Sequence, residues 1–132
     1  MGVSPTVQSS RPTMKSKKPG NAGIAAAFDV IGGKWKAVIL RELDAQSFRF
    51  GELKRQLPGI SEKMLIQQLR ELEADGIVHR DVFHEVPPRV EYSATKLGAS
   101  LNEALGPLAD WGDRNAKRVQ TARAKAQAAR QP

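Results

Sequence analysis

The sequence predicts a mainly α-helical domain carrying one small antiparallel β-ribbon, an α+β chain in which helices dominate. Three observations lead there. Apolar residues recur at helical spacing in separate stretches, as in Leu65, Leu69 and Leu72. Two short runs rich in β-branched and aromatic residues, IVHRDVF (77–83) and VEYSAT (90–95), flank a loop whose Pro87-Pro88 no helix can contain. The 132 residues, 40% of them hydrophobic, suffice for one core and one domain.

Residues 1–23 are rich in Ser, Pro, Gly, Thr and Lys without periodicity, and a disordered basic arm is expected there. A domain is expected over 24–113. Its first helix is IAAAFDVI (24–31), stopped by Gly32-Gly33. A second, from Lys34 to about Asp44, places Trp35, Val38, Ile39 and Leu43 on one face. Phe50, Leu53 and Leu57 mark a third, ended by Pro58-Gly59. Ser61 supplies an N-cap hydroxyl and Glu62 a first-turn acid for a fourth, whose Leu65, Leu69 and Leu72 form a buried stripe. Asp75-Gly76 ends it, Gly suiting the left-handed position past a helix. The two strands follow, then a helix capped by Thr95 with Leu97, Leu101, Leu105, Leu108 and Trp111 along one stripe. The Ala, Arg, Lys and Gln of residues 114–132 form a basic tail that either extends this helix or frays; the pattern leaves both open. There is no internal repeat.

Two helices joined by a short Gly-containing turn, here Pro58-Gly59-Ile60, make a helix-turn-helix, and the strand pair adds a wing. In such winged helix-turn-helix arrangements the second helix enters the major groove of DNA. At 100° per residue, Lys63, Gln67, Arg70 and Ala74 fall opposite the Leu stripe. Arg and Lys suit guanine edges and Gln suits adenine. The candidate DNA-reading residues are Ser61, Lys63, Met64, Gln67, Gln68 and Arg70 on the helix, with His84 and Arg89 on the wing. Arg89 ends a Pro-stiffened loop, where it either reaches a minor groove or pairs with Glu85 or Glu91. A solvated polar face would look the same on the helix alone; the wing shifts the balance toward double-stranded DNA.

The formal charge of +7 supports this less than it first suggests. Residues 1–23 carry +4 and 114–132 carry +6, while 24–113 carry −3. DNA binding by the domain must therefore rest on where its charges sit.

The segments VIGGKWKAVILRELDAQSFRFGELKRQLPGISEKMLIQQLRELEADGIVHRD, VFHEVPPRVEYSATKLGASL and the closing LADW resemble the HxlR family of bacterial transcriptional regulators, relatives in shape of the MarR group. GGKW, RFGELKR, PGIS, LRELE-x-DG and VPPRVEY are specific as a set, and the resemblance spans roughly Ala25 to Trp111. It implies a dimeric winged helix protein binding an operator, with Ser61 through Leu72 as the reading helix and Val82 through Tyr92 as the wing. Several family members sense oxidants through a cysteine just before the first helix. This chain has Asn21-Ala22-Gly23 there and no cysteine at all, so that mode is closed to it.

A homodimer is expected from the last stripe, too long for so small a domain to cover, packed with the first helix against a two-fold mate. Phe28, Ile31, Leu101, Leu105, Leu108 and Trp111 are its expected contacts. Other chemistry finds little footing. Gly32-Gly33-Lys34 lacks phosphate-loop spacing, and Trp35 stands where Ser or Thr would be required. His79 and His84, with Glu85 or Asp81, lack the density of a metal site. No nucleophile elbow is present, so no catalytic residue, metal or cofactor is expected. No apolar run spans a membrane or resembles a signal peptide, and the absence of Cys fits a reducing compartment, so a cytoplasmic, nucleoid-associated protein is expected. A small-molecule effector, operator sequence, target genes and the sign of control stay open, as does the alternative of a winged helix used only for protein interaction.

Overall fold

The computed structural model describes residues 21–131. The chain order is α1 (Ala22–Ile31), α2 (Lys36–Ala45), β1 (Phe48–Arg49), α3 (Phe50–Arg55), α4 (Glu62–Ala74), β2 (Val78–Phe83), β3 (Arg89–Ala94) and α5 (Lys96–Arg130). The mainly helical fold with a small antiparallel sheet is as expected. Most of the basic arm, residues 1–20, lies outside the described residues. Its expected last residues, Ala22 and Gly23, belong instead to the first turn of α1.

The three-stranded sheet has the order β1-β3-β2. β2 and β3 pair antiparallel from Val78↔Ala94 to Phe83↔Arg89, and β1 adds Phe48↔Tyr92 and Arg49↔Glu91. The sequence did not announce β1, because two residues are too few to show alternation. The core gathers Ile39, Leu40, Leu43, Phe48, Leu53, Leu57, Ile60, Leu65, Leu69, Leu72, Ile77, Val78 and Leu105. α3 ends two residues before Leu57, which is nonetheless buried in the turn that follows. Gly76 (φ 77°) sits past the end of α4 in the left-handed region, as its position suggested.

The N-terminal end of α5 is locked onto the start of β2. The Thr95 hydroxyl accepts from the Gly98 N–H (3.0 Å) and lies within donating distance of the Gly76 (2.6 Å) and Ile77 (3.1 Å) carbonyls. A little further on, the buried Asn102 donates through Nδ2 to the Leu40 carbonyl (2.9 Å), and Arg41 donates to the Asn102 carbonyl (3.1 Å). These bonds tie α5 to α2. The question of the tail resolves as helix: α5 continues through Pro107 to Arg130. The docked first turns remove the nucleation cost, and the Ala-rich continuation then adds residues favourably.

Candidate nucleic-acid interface

α3 and α4 form the helix-turn-helix. Gly59 (φ 93°) makes the left-handed step in the turn between them, and Ile60 drops into the core. The Ser61 hydroxyl accepts from the Met64 N–H at 3.0 Å, so the expected cap is present. Leu65, Leu69 and Leu72 face the core with almost no exposure, which leaves Lys63, Met64, Gln67 and Arg70 on the outer side. Gln68 is half-buried and donates to the Met64 sulfur (3.3 Å), which makes it a poorer candidate for base contact than Gln67. Gln67 Nε2 lies 3.4 Å from Glu71 Oε2, a contact long enough to exchange for a base edge.

Sequence reasoning missed the brace behind this helix. The buried Lys36 of α2 donates from its ammonium to Glu71 of α4, a pair whose side chains are 5% and 20% exposed. It fixes the roll of α4 with an ion pair largely withdrawn from water. Residues 35 apart in sequence carry no local signal of such a pairing.

Between α4 and the sheet lies a cleft of about 650 Å³ lined by Phe50, Glu62, Ile66, Leu69, Arg70, Glu73, Arg80, Val90 and Tyr92. It brings Arg70 together with Arg80, a residue that reading the sequence alone passed over. Neither makes an ion pair among the described residues. The signal for Arg80 was strand alternation: it shares a strand face with the buried Val78 and so points toward α4.

On the wing, Arg89 is paired within the hairpin. Its Nη1 pairs with Glu85, its Nε with Glu91 at 2.9 Å, and its guanidinium lies 4.1 Å over the Phe83 ring. The hydrogen bond to Glu91 raises its pKa above the ordinary value; desolvation opposes this and the Glu85 interaction adds to it. The loop is thereby cross-braced. His84 is exposed at the loop. His79 hydrogen-bonds Asp81 at 2.7 Å, and among the described residues no three metal-ligating side chains converge.

The expected dimer residues divide. Ile31 and Leu105 belong to the domain's own core, at 8% and 5% exposure, so they are corrected to core residues. Helical spacing could not separate them from the rest of the stripe, because α5 offers one face to α2 and an adjoining one outward. Leu101 is half-buried against the core. Phe28 (44%), Leu108 (51%) and Trp111 (52%) are exposed, as are Ile24 and Leu97. α1 and α5 face each other across a shallow apolar groove lined by Ala27, Val30, Ile77, Leu97, Leu101 and Ala104 among others.

Comparison with known proteins places this geometry. The family model described as HxlR-like helix-turn-helix matches residues 30–120. The HTH-type transcriptional regulator YtcD of Bacillus subtilis (strain 168) is 50% identical over 103 residues, covering 78% of this chain and 82% of the relative. YybR of the same organism, also described as an HTH-type transcriptional regulator, is 47% identical over 77% of this chain and 86% of its own. Among solved structures, the redox regulator HypR in its reduced form superposes with a TM-score of 0.71 at 44% identity, covering 75% of this chain and 98% of that one.

Proposed function

The chain belongs to the HxlR-like helix-turn-helix family and is a DNA-binding transcriptional regulator of that type; on that premise we propose that it binds an inverted-repeat operator as a homodimer, with α4 in the major groove. The observation that carries this is the outer face of α4. Lys63, Gln67 and Arg70 stand exposed on a helix whose opposite face is sealed into the core and whose roll is set by Lys36–Glu71. A module built only for protein contact would present apolar side chains there.

In this assignment Lys63 and Gln67 meet base edges, with Met64 and Ser61 at the helix start. Arg70 and Arg80, flanking the cleft between α4 and the sheet, take phosphates of the strand that passes there. Arg89 stiffens the wing through Glu85 and Glu91, and His84 is its exposed contact. Two copies meet through the exposed Phe28, Leu108 and Trp111, with Leu101 at the rim, which covers an apolar surface that would otherwise face water. Reading heads so paired contact half-sites about 10 bp apart. HypR, the relative in shape, is a redox regulator. With no cysteine in 132 residues, this chain has no thiol to oxidise. Neither an enzyme activity nor a cofactor is part of this assignment. Among the described residues no helix is long and apolar enough to cross a membrane.

A gel-shift assay on the DNA upstream of its own gene, at physiological salt with excess competitor, tests the assignment. A discrete shifted species that resists competitor is expected. Binding no tighter than to competitor DNA would refute sequence-specific recognition.

A further inference from the structure

The last three turns of α5 lie on nothing. From Gln120 to Arg130 every residue is exposed, and the family model ends at residue 120. The segment from Arg114 to Arg130 is nevertheless helical and carries Arg114, Lys117, Arg118, Arg123, Lys125 and Arg130 with no acidic residue. Asp110 and Asp113 stand one turn before Arg114 and Lys117, but from Arg118 onward no acidic side chain offsets the repulsion between like charges, and Arg114 repels Lys117 and Arg118 at i, i+3 and i, i+4. A polyanion would remove that repulsion.

The charges are also arranged. At about 100° per residue, Arg114, Lys117, Arg118 and Lys125 fall within one face roughly 100° wide, while Arg123 and Arg130 fall on the far side. The four-charge face points away from the side on which Gly98 and Leu105 dock against the domain. It is thus turned outward along a rod of about 25 Å.

The composition narrows the partner. A helix that binds a protein groove needs large apolar anchors at i, i+3 or i+4, and i+7. Beyond Trp111 the only aliphatic side chain larger than Ala is Val119. A helix lying on a membrane needs Trp, Phe or Leu on its buried face, and none is present there. What fits is a regularly charged backbone, contacted through charge alone.

We propose that the face formed by Arg114, Lys117, Arg118 and Lys125 binds the phosphate backbone of duplex DNA, adding sequence-independent affinity outside the segment read by α4. The inference needs the chain to meet DNA but does not need Gln67 or any other α4 residue to read a base.

The test uses the full-length chain and a fluorescein-labelled duplex of random sequence, about 40 bp long, titrated between about 50 and 200 mM NaCl. One variant is R114Q/K117Q/R118Q/K125Q; the other is R123Q/R130Q. Gln is a good helix former, so far-UV circular dichroism should be unchanged in both. The fourfold variant should flatten the slope of log K against log salt by about 3 to 4 per engaged helix and weaken binding at least roughly tenfold at low salt. The twofold variant should keep the wild-type slope. A fourfold variant with the wild-type slope, a twofold variant that loses slope in proportion to its charge, or a wild-type chain that fails to bind this duplex would each overturn the proposal. Q67A, run in parallel on the operator, separates the two claims: loss of operator preference with the salt effect intact concerns α4 alone.

Discussion

Replacing Gly98 by Ala asks whether α5 is seated where the fold requires it. An ideal Cβ at this position would stand 2.2 Å from the Ile77 carbonyl oxygen and 3.2 Å from its carbon. That carbonyl cannot swing aside freely, since it accepts from the Thr95 N–H (3.1 Å) and lies 3.1 Å from the Thr95 hydroxyl. Two terms oppose each other. Ala in a helix gains about 1 kcal/mol over Gly. Forcing a methyl against pinned backbone costs about 1–3 kcal/mol, and here the upper end applies because no flexible side chain can yield. The net loss is about 2 kcal/mol, which for a domain of this size lowers the Tm by roughly 5–12 °C. Gly112→Ala, in the same helix, is the control. Nothing lies within 4 Å of a Cβ there, so the propensity gain operates and the Tm should hold or rise. Thermal unfolding followed by circular dichroism, at one fixed protein concentration, measures both. A G98A protein as stable as G112A would show that α5 does not pack on Ile77 as described.

Other consequences follow from the same contacts. Leu108→Asp places a charge on a side chain already 51% exposed, so sedimentation should fall from twice 14.4 kDa to the monomer mass with helicity retained. An L108D protein that still sediments as a dimer would remove Leu108 from the seam. Lys36→Met removes the ammonium from beside Glu71, whose side chain is 20% exposed, and should cost about 1–3 kcal/mol in urea unfolding; an unchanged midpoint would mean the pair does not brace α4. Arg80→Ala should weaken binding uniformly across DNA sequences and reduce the salt slope by about 1, the signature of one lost phosphate contact. A change in base preference instead would make Arg80 a reader of sequence.

Much of this was legible in the sequence because the signals were local. The Leu65–Leu69–Leu72 stripe, the Ser61 cap and Gly76 all act within a turn or two of their own helix, and each is where its chemistry put it. What escaped depended on distant partners. β1 exists only because Phe48 and Arg49 meet the free edge of β3, and Lys36 finds Glu71 only once α2 and α4 have packed. The apolar stripe on α5 was visible, but its division into a core side with Leu105 and an outer side with Leu108 and Trp111 required the position of α2. Arg89 shows the same limit at the wing. Both its outcomes were open in sequence, and the hairpin register, which sets Arg89 opposite Phe83 with Glu91 two residues on, decided for the ion pairs.

The central claim is that α4 reads bases through its outer face, and Gln67 tests it most directly. Gln67 is exposed and faces away from the core leucines, so its loss should leave stability within about 0.5 kcal/mol. The measurement is the affinity of wild type and Gln67→Ala for an operator and its full set of single-base variants. The expected result is a loss of roughly 1–3 kcal/mol confined to one base pair in each half-site, with discrimination at that pair abolished and elsewhere kept. A folded Gln67→Ala protein with wild-type affinity and base preference would contradict it.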